Sequence, residues 1–482
     1  MTKIWKNSVG FVLLWTLTLW GGLSAKTVEL TSTTNTNVPL AISVIQPDMG
    51  QGVMTLVQIF SNTFTDGPIN ILIDGGSSSG NDYLTTGLDF IYEALGNRLV
   101  LDFIIVTHPD EDHISLLAGA VSGSTLGVFG ATDIQIGTVF DLGTDRMTTA
   151  YYGQNTDIGG LYETALNAAR TAGRIASRTI VDGSNQIEIP LANIMGHSPT
   201  YNGALTFYEV SLRILAGSSR CNGISSGMSA QLSKNLDSIV SGLLVRERVP
   251  PQNVGDPTIY NNIFRYLNFG DLETRVVYEQ MSLSSGQMVQ TAHPHSLASA
   301  VPVGAIHYPH VNELNNQIIA DFGPRIDVQT AAHHGLNSAY NPCQNALIPC
   351  TLTLISGVSR RWQPLNWVMG PGYSMAFNTF LYVVNRVTDF EGQCIRQAAE
   401  CVVGKLVGNN NYDSSNQLYF DRTNDPQTQG TTAAQVLFIV DANFGVSSRV
   451  ARVTIDAALG IVELPADLSD VIPLPITRSP VN

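Results

Sequence analysis

The sequence predicts a layered α/β protein, and three observations carry that reading. Short apolar runs of strand length, such as Leu40–Ile45, Ile69–Ile73 and Leu101–Val106, end in loops rich in Gly and Asp. Between the second and third of these, Tyr83–Leu95 spaces its apolar residues as a helix does. The 482-residue chain is also 44% hydrophobic and only 13% charged, about half the usual charged share. A disordered or coiled-coil chain needs far more charge than that. Forty-three Gly and 22 Pro occur without a period, which excludes collagen and marks many turns.

Taken in order, Leu40–Ile45 reads as a first strand, followed by a loop from Pro47 to Gly52 and a second strand, Val53–Phe60. The third strand, Ile69–Ile73, closes on Asp74-Gly75-Gly76. Leu101–Val106 is a buried strand that stops at Thr107-His108. Gly160–Ser177 is helix-prone inside the otherwise polar stretch Phe140–Ile189, and Ala204–Leu215 alternates like a pair of strands. Further strands are expected at Ile239–Val245, Ile263–Asn268, Ile326–Thr330 and Leu352–Ser356, with a late hairpin from Val436–Asp441 and Val450–Ile455. Thr274–Asn315 is polar and turn-rich, as a surface insertion is, and its histidines (His293, His295, His307, His310) are expected in solvent. Length alone suggests three domains at roughly 150 residues each. No repeat and no linker divides the chain, so one elaborated domain over 26–482 is expected. Its insertions fall near 140–200 and 274–315, and a Cys-bearing extension starts at about 340.

The first 25 residues have the order of a secretory signal peptide: Lys3 and Lys6, then the uncharged run Val9–Leu23, then Ser24-Ala25. The run falls short of the roughly 20 apolar residues a membrane span requires. A periplasmic or extracellular destination follows, with no stable membrane association after processing and no specific protein partner. Removal of the two lysines takes the net charge from −14 to −16. Such a chain has no basic field for sequence-independent grip on nucleic acid. The five cysteines suit an oxidising compartment: Cys343, Cys350, Cys394 and Cys401 form two close pairs from which two disulfides of open connectivity are expected. Cys221 is left as a core thiol.

The chemistry concentrates in Thr107-His108-Pro109-Asp110-Glu111-Asp112-His113, directly after a buried strand. Two imidazoles and two carboxylates on one loop can converge on a small volume. Like charges held together there need a counter-charge. A pair of divalent ions supplies it, since imidazole nitrogen and carboxylate oxygen both ligate Zn²⁺ and Mn²⁺.

The pattern His108-x-Asp110-x-Asp112-His113 resembles the His-x-His-x-Asp-His signature of the metallo-β-lactamase fold, with Asp110 in place of the middle His. That replacement is similar to the branch found in ComEC-type DNA-internalisation competence proteins. Other markers of the branch follow in order: Asp48-Met49-Gly50-Gln51-Gly52, Ile71-Leu72-Ile73-Asp74-Gly75-Gly76, Asn235-x-x-Ser238-Ile239-Val240, Phe269-Gly270-Asp271-Leu272-Glu273 and Ala332-His333-His334-Gly335. The resemblance covers roughly Ile42 to Gly357. It implies a four-layer αββα sandwich with the site along one edge.

Carried over residue by residue, the resemblance implies that His108 and Asp110 hold one ion and that Asp112 and His113 hold the second. Asp271 would bridge them, and His334 would be the last ligand. His333 and Asp74 would orient ligands from behind, and Asp112 would also serve catalysis. Two divalent ions are expected, zinc modestly in preference to manganese, since Asp110 hardens a site that is otherwise rich in His and so raises its affinity for manganese. The implied function is a secreted hydrolase that uses metal-activated water on a phosphodiester, either nucleic acid or a small nucleotide. A lactone, ester or amide hydrolase on the same site and a non-catalytic extracellular binding protein are the alternatives.

Overall fold

A computed structural model describes residues 39–47, 49, 52–77, 81–119, 126–148, 158–197, 204–227, 234–272, 308–324, 326–330, 332–335 and 350–355, with short strands between 380 and 463. The expected signal peptide lies outside these residues, as do Cys343, Cys401, His293, His295 and His307. Only the backbone is described at Cys350 and Cys394, so the expected disulfides are outside the described residues too. Among the described residues, no helix is long and apolar enough to cross a membrane.

The chain is mixed α/β and builds two large sheets. Strands β1 (Leu40–Pro47), β2 (Thr55–Ser61) and β3 (Ile69–Ile73) form an antiparallel meander. Helix α1 (Asn81–Leu95) carries the chain to β4 (Val100–Ile105), which lies parallel to β3. Helix α2 (Glu111–Ala118) leads to β5 (Gln135–Asp141), again parallel. Helices α3 (Thr144–Met147) and α4 (Ile158–Thr171) precede β6 (Ile175–Ile180), the edge strand on that side. Three late strands, β18 (Ala433–Val440), β19 (Arg452–Thr454) and β20 (Ile461–Glu463), extend the sheet beyond β1 to nine strands.

The second sheet has seven strands. Strands β7 (Ile187–His197) and β8 (Leu205–Ala216) form a long antiparallel pair, and β11 (Val240–Val249) and β12 (Ile259–Asn268) continue it. Strands β13 (Ile326–Thr330), β14 (Cys350–Ile355) and β15 (Phe380–Val383) then run parallel to β12. Two small ribbons, β9 with β10 (Arg220–Cys221, Ile224–Ser225) and β16 with β17 (Val387–Thr388, Cys394–Ile395), complete the strands. Helix α5 (Pro309–Phe322) follows the insertion after β12.

Strand alternation sorts the second sheet's side chains into two cores. Val210, Leu212, Leu243, Val245, Phe264 and Tyr266 join a cluster that also contains Leu40, Ile42, Leu56 and Phe438 of the first sheet. Leu215, Val240, Leu244 and Leu267 point the other way and pack with Val311, Leu314, Ile318 and Phe322 of α5. The two sheets meet directly: the rings of Phe264 and Phe438 stack with centroids 4.8 Å apart.

Several expected elements changed in length or kind. The predicted helix Gly160–Ser177 stops at Thr171, because Gly173 takes φ +74° and turns the chain into β6. Ala204–Leu215 is one strand of 12 residues rather than a pair. Polar and apolar residues alternate along it because only one face is covered at its start. Thr274–Asn315 ends inside α5, so His310 is buried, 1% exposed, contrary to the expectation of solvent. The residues around 140–200 supply α3, α4 and the two edge strands β6 and β7.

Arg178 on β6 ties β5, β6 and α4 together. It reaches Asp141 at 2.8 Å and Glu163 at 2.5 Å, and Tyr162 donates to Asp141 at 2.8 Å. Burial raises the Asp141 carboxyl above its ordinary range, and Arg178 works against that rise. Arg178→Met would leave two acids buried without their cation. The expected loss is about 4 kcal/mol of unfolding free energy in a denaturant titration. Neither ring nitrogen of His310 has a hydrogen-bond partner, and burial pushes the imidazole down to about 4. A folded-state value below the unfolded 6.5 means the unfolded chain binds the proton first, so stability falls as pH drops through 6.5 towards 4. His310→Leu should match the parent at pH 7. It should gain about 3 kcal/mol on it by pH 4 in parallel denaturant titrations.

Candidate metal centre

Strands β3 and β4 run parallel in one sheet, and β12 and β13 run parallel in the other. Their carboxyl ends carry Asp74, Thr107-His108, Asp271 and His333 in turn. Loops leaving the carboxyl ends of parallel strands are the usual place for a site in an open α/β sheet.

The turn after β3 shows why Asp-Gly-Gly stands there. Asp74 takes φ +56°, uncommon for a residue with a side chain. Its N–H donates to the Ile105 carbonyl at 2.8 Å, and the Gly75 N–H donates to the His113 carbonyl at 2.7 Å. A Cβ on Gly76 would sit 2.4 Å from the backbone nitrogen of His113, so only Gly lets this turn pass the start of α2. That helix begins at Glu111, which places Asp112 and His113 in its first turn rather than in the expected loop. Asp110 holds the N-cap position without making the usual side-chain cap hydrogen bond. Its carboxylate turns towards the site instead. Oδ2 lies 3.3 Å from His108 Nε2, and Oδ1 pairs with the Lys234 ammonium.

Behind the histidines, Asp74 is fully buried and occupied on both oxygens. Oδ1 accepts from the Thr107 N–H at 2.7 Å, and Oδ2 accepts from the Thr107 hydroxyl at 2.8 Å and from His113 Nδ1 at 2.9 Å. With its proton given to Asp74, the Thr107 hydroxyl is an acceptor for His108 Nδ1 at 3.0 Å. Both imidazoles therefore direct Nε2 forward. His113 Nε2 lies 3.1 Å from Asp271 Oδ1, and His108 Nε2 lies 3.5 Å from Asp271 Oδ2.

Asp271 is set by its own loop. Gly270 before it takes φ +53°, and a Cβ there would lie 2.6 Å from the Thr107 side chain. The Asp271 N–H donates to Ser238 Oγ at 3.2 Å. His333 also takes positive φ, +46°. Its N–H donates to the Gly270 carbonyl at 3.0 Å, and its Nε2 stands 3.7 Å from Asp271 Oδ2.

Burial shapes the titration of this group. His113 feels a strong downward push from burial, but Asp271 and Asp74 outweigh it and hold the imidazole well above its ordinary value. His108 goes the other way, to about 4, through burial first and the neighbouring His113 second. Burial also lowers the Lys234 ammonium to about 8, against the pull of Asp271.

No protein-family model and no curated protein matches this chain.

What the chain offers a cation is its own donor set. One ligand atom each from His108, His113 and Asp271 lies within 4.8 Å of the others, all three residues buried. Among the described residues, His108 Nε2 has no hydrogen-bond partner although it is fully buried, as a ligand nitrogen facing a metal would be. Two imidazoles and a carboxylate suit a borderline divalent ion. The residues fit the group.

The residues expected from the sequence fall into three sets. His108, Asp110, His113, Asp271 and Asp74 come together as described. Asp112 is half-buried at the start of α2, close enough for its charge to act on His108. Of the histidine pair after β13, His333 brings its ring to 3.7 Å from Asp271, and the His334 side chain lies outside the described residues. Two parts of the expected motifs, Glu273 and the Asp48, Gly50 and Gln51 positions, lie outside the described residues. Lys234 was missed by sequence reasoning, although it directly precedes Asn235-x-x-Ser238. Asp74→Asn keeps the size of the side chain but turns one acceptor into a donor opposite Thr107 and His113. The expected result is a 10- to 100-fold loss of divalent-ion affinity, read by competition with a chromogenic chelator.

Proposed function

We propose that this chain is a metal-dependent hydrolase of the metallo-β-lactamase fold that cleaves a phosphodiester, either nucleic acid or a nucleotide, and is exported by its N-terminal segment. The observation that carries the proposal is the convergence of His108, His113 and Asp271 from two sheets, with Asp74 fixing the imidazoles from behind. The arrangement of the sheets favours the four-layer αββα reading. The Phe264–Phe438 stack joins them in the middle, α5 covers the outer side of the second sheet, and α2 touches both α1 and α4 beside the first.

In this reading His108 with Asp110, His113 with Asp112, and Asp271 would hold two divalent ions, zinc before manganese. His333 or His334 completes the set. Bound there, the ions supply Lewis acidity and a more acidic water. The chain's own residues do the rest. Thr107 and Asp74 keep Nε2 of both imidazoles forward, which fixes the ligand geometry before substrate arrives. Asp112, the half-exposed carboxylate at the start of α2, would take a proton from the attacking water as well as bind.

The test is elemental analysis of the mature protein together with hydrolysis of DNA, RNA and bis-p-nitrophenyl phosphate in Zn²⁺ or Mn²⁺. Bound metal and phosphodiester cleavage are expected. His113→Ala and Asp271→Ala should each lose metal and about 100-fold or more in rate. Metal-free protein, or cleavage confined to lactones, carboxylic esters or amides, would defeat the proposal.

A further inference from the structure

Lys234 opens a 3₁₀ turn, Lys234–Asp237, just before β11. Every other part of that turn is anchored. Asp237 is fully buried, pairs with Arg146 Nη1 of α3 at 2.6 Å, and accepts from the Ser219 hydroxyl. The Ser218 N–H donates to the Asp237 carbonyl at 2.8 Å, and the Ile239 N–H donates to the Thr107 carbonyl at 3.0 Å. Ser238 receives the Asp271 N–H, and the Asn235 amide lies 3.4 Å from His333 Nδ1. The turn thus touches the bases of three of the site's segments. Lys234 is the one member of it that sends a charge into the site. Its ammonium meets Asp110, while 20% of the side chain stays exposed.

A cation placed there does more than neutralise Asp110. A divalent ion taking that carboxylate would do the same, and the Lys234 ammonium would still stand as a positive charge beside the reacting centre. Such a charge repels cations and attracts an anion. The chain as a whole carries −14, so its long-range field turns anions away and attraction has to be local. A neutral ester gains little from an ammonium, whereas a phosphoryl oxygen gains a charge-assisted hydrogen bond.

We infer that Lys234 is an anion-recognition residue: its ammonium takes a non-bridging phosphoryl oxygen of the substrate at the metal centre. This rests on the metal-centre reading and narrows its substrate class to phosphoryl compounds. The experiment loads the full chain with Zn²⁺ or Mn²⁺, removes free ion by gel filtration, counts the retained metal, and titrates inorganic phosphate by calorimetry. Lys234→Met should keep the parent's metal stoichiometry and bind phosphate about tenfold more weakly, while Lys234→Arg should stay within about threefold. Lys234→Gln, a polar side chain of similar length, should behave as the Met variant does and serves in its place if that variant does not fold. The inference is overturned if phosphate binds equally well without the ammonium. It is also overturned if the parent binds none, or if the Met and Gln variants lose metal in step with phosphate, which would make Lys234 a support for Asp110. Phosphate binding is read without turnover, so a failed phosphodiesterase assay defeats the proposed function and leaves this result standing.

Discussion

The buried carboxylate of Asp74 is the constraint on which the rest of the site depends. A charge with no exposure has to be met by donors, and it is met by three: the Thr107 amide, the Thr107 hydroxyl and His113 Nδ1. Those donors belong to two segments, the end of β4 and the first turn of α2. Satisfying Asp74 therefore fixes where both begin relative to β3. The same bonds decide which nitrogen of each imidazole faces forward. Placement of the acid in turn requires a left-handed backbone at Asp74 and a bare Gly76 against α2. One acid thus links a strained turn, a helix start and two candidate ligands.

The second sheet supplies what the first cannot. Asp271 and His333 lie at the ends of β12 and β13, and they reach His108 and His113 only because the sheets pack face to face. Phe264 against Phe438 holds that packing in the apolar middle. Nearer the site the second sheet is polar. The Tyr266 hydroxyl meets Thr330 at 2.9 Å and Asn268 at 3.3 Å. Asn268 also accepts the Gly270 N–H at 2.8 Å, one residue before Asp271. This buried hydroxyl network joins β12 to β13, the strands that lead to Asp271 and His333, and a slip between them would orphan several polar groups at once.

Much of the fold was legible because its signals are local. Ile69–Ile73 and Ile326–Thr330 are short apolar runs with turn residues behind them, and the strands have the expected limits. The first candidate loop was legible for the same reason, as a dense set of His and Asp behind a buried strand. What failed had long-range causes. The polar face of α5 dominates its composition, and only the packing of Val311, Leu314 and Ile318 on the second sheet shows it to be a covered helix. Strands β6 and β7 are half-exposed edges, so their apolar pattern is weak. Lys234 carries no local signature beyond its place directly before Asn235-x-x-Ser238. Its role comes from Arg146, 88 positions earlier in the chain, which pins Asp237 and with it the turn.

Three buried imidazoles show what the acids of this site accomplish. His310 sits among apolar side chains, with burial as the cause of its shift, and its value falls to about 4. His108 falls to about 4 as well, since burial and a neighbouring imidazole outweigh the acids around it. His113 is as buried as His108 yet rises well above its ordinary value, and the difference lies in Asp271 and Asp74. Those acids create a potential negative enough to hold positive charge in a place where burial opposes it. A proton satisfies that potential with one charge and occupies one nitrogen. A divalent ion satisfies it with two and engages His108, His113 and Asp271 together, so binding it would release the His113 proton. The same cluster of buried acids that holds the His113 proton would therefore give a divalent ion its affinity.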